Sequence, residues 1–151
     1  MENDNLKAII LFAIEKEQEA IDFYEQLSQK VKSKAIVDEI LKIKKMEEQH
    51  KERLKKVEIP ALIRENSSRV APNLKIADYI VQATPSAEMS WQDLLNIAMH
   101  RELAAMELYA ALSKKVSDSD VARLFERLSR EESEHKLIFE RMWDEDIMKE
   151  N

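Results

Sequence analysis

The chain has 151 residues, of which 36% are charged and 44% hydrophobic, and its net charge is -6 at pH 7. It contains no cysteine, which excludes disulfides, thiolate zinc sites, rubredoxin-type iron centres and thiol nucleophiles. The acidic balance argues against a nucleic-acid partner, because phosphate binding requires clustered Lys and Arg. With no glycine and only three prolines, the composition favours long helices over hairpin turns.

No membrane partner is expected. A run of about 18 apolar residues, the length of a membrane helix, does not occur in the sequence. The first residues also lack the basic and apolar regions of a signal peptide. We therefore expect a cytoplasmic protein, and its length is that of a single domain covering residues 1–151.

Four amphipathic helices are predicted, because apolar residues recur at alternating spacings of three and four in four segments. They cover about residues 5–32, 34–58, 90–116 and 119–147. The expected N-terminal caps are Asp4, Ser33, Ser90, and either Asp118 or Ser119. Very short turns within each pair predict two antiparallel hairpins, and hence an all-α, antiparallel four-helix bundle.

The segment between the two hairpins, about residues 59–89, is predicted to be a crossover connection. It contains all three prolines and a polar run at residues 65–69. Apolar residues between Leu74 and Ala83 predict a short helix within it, which ends before Pro85.

The two halves of the chain repeat each other. Glu17 aligns with Glu102, 85 positions later, and the same shift aligns Ala13 with Ala98, Tyr24 with Tyr109, Leu27 with Leu112, Glu47 with Glu132 and His50 with His135. A repeat of this length predicts two helical hairpins related by a pseudo-two-fold axis.

Six polar residues interrupt the apolar stripes at matching positions of the repeat: Glu17, Glu47, His50, Glu102, Glu132 and His135. Ionised carboxylates are rarely buried without a partner, because desolvation costs several kcal/mol per ion. No Lys or Arg occupies a stripe position. Two divalent cations would balance the four carboxylates, with the imidazoles as neutral ligands, which predicts a two-metal site.

The spacing of these residues supports the same prediction. Glu47 and His50 are three residues apart, so they share a helix face and both can reach one metal. Glu132 and His135 have the same spacing, while Glu17 and Glu102 could terminate or bridge the metal pair. This is the ligand arrangement of ferritin-like di-iron and di-manganese carboxylate proteins. Carboxylate and imidazole ligands favour iron, with manganese or zinc also possible.

Other polar and aromatic residues near the stripes have weaker assignments. Tyr24 and Tyr109 follow the stripe glutamates by seven residues, and both a core role and a redox or supporting role at the metal site remain open. His100 falls off the stripe and is expected in solvent. Asp22 and Glu107 are expected on exposed faces.

The segments around Glu17 to Tyr24, Met46 to His50, Glu102 to Tyr109 and Glu131 to His135 resemble the rubrerythrin branch of the ferritin-like superfamily. The resemblance implies that the six stripe residues hold a di-iron centre that reacts with hydrogen peroxide or oxygen, in a protein that is often a homodimer. Two features depart from that family. The chain has no Cys-bearing rubredoxin domain, which implies a separate electron donor such as a rubredoxin-type protein. Ala105 stands where an additional carboxylate is expected.

Three functions follow from these observations. The first is a di-iron oxidoreductase that reduces peroxide or oxygen, with a role in oxidative stress. The second is a ferroxidase or other iron-handling protein. The third is a metal-free helical scaffold or regulatory relative, in which water or the six polar core groups themselves satisfy these side chains.

Overall fold

The computed structural model describes residues 2–57 and 89–150. These residues form four helices, α1 (Glu2–Ser28), α2 (Lys34–Lys55), α3 (Trp91–Lys115) and α4 (Ser119–Glu150), with no strand in the described ranges. The predicted all-α class and the four main helices are therefore confirmed. The predicted crossover, apart from Met89, and its short helix at Leu74 to Ala83 lie outside the described residues.

The chain divides into two compact units, Met1–Lys75 and Ile76–Asn151. In the first, α1 packs against α2, and in the second, α3 packs against α4. We call these pairs the first and second hairpins. The short connections, at residues 29–33 and 116–118, make each pair neighbours in sequence and in space.

Helix α1 differs from its prediction at both ends. It begins at Glu2, so Asp4 lies inside the first turn and the predicted cap there is wrong. It ends at Ser28 rather than near residue 32, because the next two amides, of Gln29 and Lys30, donate to carbonyls only three residues back. This tighter turn ends the helix before Ser33, where the cap of the next helix requires extended backbone.

The predicted caps of the other three helices are confirmed. Ser33 has extended backbone and its hydroxyl accepts from the Ile36 amide. Ser90 and Asp93 form a capping box, in which each side chain accepts from the other residue's amide at 3.1 Å. Asp118 caps α4, because its carboxylate accepts from the amides of the second and third residues after it. These caps fix where each helix begins.

The predicted stripes are buried along most of their length. Their largest buried members include Tyr24, Ile40, Tyr109, Phe125 and Phe139. Helices α1 and α3 also carry a second buried row that one stripe does not predict, which contains Ile9, Phe23, Leu94 and Leu108. Ile9 and Phe23 align with Leu94 and Leu108 under the 85-residue shift, so the wider buried face is itself repeated.

Among the residues that the structure describes, no helix combines the length and apolarity that crossing a membrane requires.

Candidate metal centre

The first hairpin brings together three of the predicted ligands. Glu17 comes from the middle of α1, while Glu47 and His50 lie one turn apart on α2. Nδ1 of His50 lies 3.4 Å from a carboxylate oxygen of Glu47 and 3.6 Å from one of Glu17. All three side chains are at most 2% exposed. We call them the first ligand set.

The second hairpin repeats this arrangement with Glu102 on α3 and Glu132 and His135 on α4. Nδ1 of His135 lies 3.4 Å from a carboxylate oxygen of Glu132 and 3.6 Å from one of Glu102. These three residues are at most 4% exposed and form the second ligand set. The two sets thus agree in residue types, burial and both distances.

The geometry of each set fits a metal ion. In each set, one donor atom per residue lies within 4.8 Å of the others. Two ligand atoms about 2.1 Å from the same ion are about 3.0–3.4 Å apart at octahedral or tetrahedral angles. The observed separations of 3.4 and 3.6 Å are close to this range and longer than a usual N–H···O hydrogen bond of about 2.7–3.2 Å. Both sets therefore have the donor groups and spacing to hold a metal.

The two tyrosines lie in the core of their own hairpins. Tyr24 is fully buried and meets Phe23 edge to face, with ring centroids 5.3 Å apart. Tyr109 is 1% exposed and stacks on Phe125 at 6.0 Å. These contacts support the core role, and a further role at the metal site remains a prediction.

The weaker candidates of the sequence lie on exposed faces. His100 is exposed, and its Nδ1 lies 2.8 Å from the Asn96 carbonyl one turn earlier. Glu107 is exposed as well. Ala105, which replaces the additional carboxylate of the resemblance, is half-buried on α3. No further ligand comes from these positions.

Sequence reasoning missed two polar links between α1 and α2. Lys51 donates to the Gln18 side-chain oxygen at 2.5 Å, and the Gln18 amide donates to Asp22 at 3.0 Å. We call these two hydrogen bonds the Gln18 bridge. Lys44 donates to Glu25 at 2.7 Å. Facing residues of an antiparallel hairpin have a nearly constant sum of residue numbers, and the pairs 18/51 and 25/44 have the same sum. A lysine opposite a polar or acidic residue at two positions of this one register is the sequence signal that could have revealed the links.

The Lys44 and Glu25 pair affects both ionisation equilibria. The hydrogen bond and positive charge of Lys44 lower the pKa of the Glu25 carboxyl. The hydrogen bond from Lys44 to Glu25 raises the pKa of the Lys44 ammonium. The pair therefore favours the charged form of both side chains and links the two helices.

The second hairpin uses different residues at the equivalent positions. Leu103 replaces Gln18, and Lys136, the counterpart of Lys51, pairs with Glu140 on its own helix. Ser129 replaces Lys44 and donates to the Met106 carbonyl at 2.8 Å. The ligand sets are thus repeated, while the bridges beside them are not.

The all-helical fold and the two carboxylate and histidine sets have the features of ferritin-like metal-carboxylate proteins. Residues 93–150, most of the second hairpin, match the rubrerythrin family model. This match covers less than half of the chain, and over those residues it confirms the rubrerythrin-like resemblance predicted from the sequence.

One solved structure similar to this chain is that of a hypothetical protein from Pyrococcus furiosus. The two share 23% sequence identity and a TM-score of 0.64, and the match covers 94% of this chain and 88% of the other. It supports the fold alone. No curated protein matches the chain.

Proposed function

We propose that this chain is a non-haem di-iron protein that reduces hydrogen peroxide or oxygen in the cytoplasm, with electrons from a separate donor. The observation that carries the proposal is the repetition of one ligand set, with two buried carboxylates and one buried imidazole, at the same pair of distances in both hairpins. The rubrerythrin match over residues 93–150 supports iron as the metal.

The charges of the ligand residues suit two divalent ions. Each hairpin contributes two carboxylates and one neutral imidazole, so one divalent cation per set leaves no net charge in the core. In this proposal His50 and Glu47 would hold one ion, and His135 and Glu132 would hold the other. Glu17 would complete the first set and Glu102 the second, each from the other helix of its own hairpin.

Iron would supply the electrons for the reaction, because two Fe(II) ions that each lose one electron provide the two that reduce hydrogen peroxide to water. The carboxylates suit this role because they are hard ligands that accommodate both oxidation states. Burial of the ligand sets keeps bulk water away from the ions and strengthens their electrostatic interactions with the carboxylates. Tyr24 and Tyr109 are proposed to support the site from the core around it.

Metal analysis of the protein purified without added metal is the first test. We expect about two irons per chain. Rapid mixing of the oxygen-free Fe(II) form with hydrogen peroxide or oxygen should then give an absorbance change, faster with peroxide. Absence of bound iron, manganese and zinc would contradict the proposal and favour the metal-free scaffold hypothesis.

Ferroxidase activity is the second candidate, and Ala105 favours it. This half-buried residue lacks the additional carboxylate that the resemblance associates with peroxide reduction. A ferroxidase would react faster with oxygen and continue to oxidise added Fe(II) after the first two ions. Storage of iron would also require a closed shell of many subunits, so a monomer or dimer in light scattering would count against storage.

A further inference from the structure

The two ligand sets have the same internal geometry but different support. Gln18 follows Glu17 on α1, and Lys51 follows His50 on α2. The Gln18 bridge therefore joins the two helices at the turn that carries the Glu17 and His50 ligands. Lys51 and Gln18 are both half-buried, so their 2.5 Å hydrogen bond is partly shielded from water.

The same bridge cannot form in the second hairpin. Leu103 has no polar side-chain atom to accept a hydrogen bond, and Lys136 pairs with Glu140 along α4. The distance from His135 to Glu102 is nevertheless 3.6 Å, the same as from His50 to Glu17. The sets therefore differ in the contacts that hold their helices in place.

Such support matters most before a metal is bound. The two carboxylates of each set then lie close together, and their repulsion favours separation of the helices. A link that resists this separation keeps the ligands in their bound arrangement, so less ordering is required when the metal enters. A preorganised set consequently binds its ion more tightly.

We propose that Lys51 and Gln18 are positioning residues that hold the first ligand set in its metal-binding arrangement, so that the first hairpin binds metal before the second. The inference rests on the proposed function, since it requires both sets to bind a metal. It adds an order of loading to the site and assigns a role to two residues that are not ligands.

Calorimetric titration of Co(II) into the metal-free full-length protein tests the proposal, with Co(II) absorbance as a second readout. We expect two unequal binding steps in the unmodified protein. Lys51→Met should weaken the tighter step about three- to tenfold, the range expected for loss of one hydrogen bond, and leave the weaker step unchanged. Lys51→Arg, which keeps a donor, should restore most of the affinity.

The second hairpin provides matched controls. Lys136→Met removes the equivalent lysine, which pairs with Glu140 on its own helix, and should change neither step. Leu103→Gln should strengthen the weaker step, because it introduces an acceptor for Lys136. His50→Ala should remove the tighter step and His135→Ala the weaker one, which assigns each step to its hairpin.

Several results would overturn the inference. Two equal steps, or equal effects of Lys51→Met and Lys136→Met, would overturn it while leaving the di-metal proposal in place. A lower melting temperature of metal-free Lys51→Met with unchanged Co(II) affinity would show that the bridge is only structural. Failure of the unmodified protein to bind Co(II) would overturn both proposals.

Discussion

Glu47 and Glu48 are adjacent glutamates on α2 with opposite surroundings. Glu47 is 1% exposed and its carboxylate lies 3.4 Å from His50, whereas the side chain of Glu48 is 52% exposed. The difference follows from the helix, since a step of one residue rotates the side chain by about 100° away from the buried face. Burial therefore separates two otherwise identical side chains into a candidate ligand and a surface charge.

The pair provides a direct test of the ligand assignment. Glu47→Ala should reduce iron content from about two ions per chain to one or none, because it removes one of the two carboxylates of the first ligand set. Glu48→Ala should leave the metal content unchanged. Metal analysis of both variants after identical iron loading gives the comparison, and full occupancy in Glu47→Ala would remove this residue from the ligand set.

The six candidate ligands could be identified from the sequence because each is a polar residue in an otherwise apolar stripe. That mismatch has a fixed position on the helix and does not depend on how helices pack. The Gln18 bridge depends instead on which residues of α1 and α2 face each other. Gln18 and Lys51 look like ordinary exposed residues in the sequence, and only the packed hairpin brings them to 2.5 Å.

At the scale of the helices, the N-terminal caps differ in quality. The capping box at Ser90 has two bonds of 3.1 Å, whereas the Ser33 hydroxyl accepts at a longer 3.5 Å. Shorter bonds satisfy the otherwise unpaired amides of the first turn more fully. The N-terminal cap therefore stabilises α3 more than α2.

We expect Ser90→Ala to lower the free energy of unfolding by about 1 kcal/mol and Ser33→Ala to lower it by less. The measurement is urea denaturation of the metal-free protein, followed by helical circular dichroism. Ser90→Asp serves as a control, since Asp is also a good cap and should recover most of the loss. A larger effect at Ser33 than at Ser90 would contradict the ranking.

The Lys44 and Glu25 link between α1 and α2 predicts a pH dependence. The folded-state pKa of Glu25 is lowered, so its contribution to stability is present above the unfolded pKa and is lost as pH falls through the folded value. The folded-state pKa of Lys44 is raised, so its contribution is present below the unfolded pKa and is lost as pH rises through the folded value. The stabilisation is therefore complete between about pH 5 and pH 10.

Lys44→Met should consequently destabilise the protein slightly and uniformly across that range, with the difference from the unmodified protein disappearing in acid. The effect is small because the pair is partly exposed to solvent. Urea denaturation from pH 3 to pH 8 measures it, with the exposed Lys42→Met as control. An undiminished difference at the lowest pH would exclude the ion pair as its cause.

Helix boundaries were the least predictable part of the elements. Apolar spacing extends the first helix to Val31, yet α1 ends at Ser28 and Val31 is only half-buried. The cap at Ser33 needs extended backbone, so the helix cannot continue up to it. Competition between a stripe and a neighbouring cap is a property of the packed turn, which a periodic pattern does not contain.

For the whole molecule, the ligand sets create a conflict between stability and function. Buried carboxylates cost free energy in the metal-free protein, and the same groups create the proposed site. Metal that binds only the folded protein then raises its stability according to concentration and affinity. Stability should therefore depend strongly on metal loading.

Glu132→Gln tests this relation. We expect the metal-free variant to be more stable than the unmodified protein by about 1 kcal/mol or more, because a buried charge is removed. Addition of metal should raise its melting temperature less. Calorimetry with and without a chelator measures both effects, and the exposed Glu134→Gln should behave like the unmodified protein. A less stable metal-free Glu132→Gln would contradict the cost assigned to the carboxylate.

The all-α class was predictable from composition and periodicity alone, because absence of glycine and long stripes leave few other folds. The second buried row of α1 and α3 was not. Ile9 and Phe23 lie beside the ligand stripe, and their burial depends on neighbours rather than on spacing within the helix. The amount of buried surface per helix is thus a tertiary property.

The repetition of a complete ligand set within each hairpin also bears on origin. One hairpin holds two carboxylates and an imidazole at 3.4 and 3.6 Å, so one complete ligand set is contained in half the chain. A shorter ancestor with a single hairpin would already have contained one complete ligand set. Duplication and fusion of its gene would then have allowed residues outside the ligand sets to change independently in the two halves, which would account for the difference between Gln18 and Leu103.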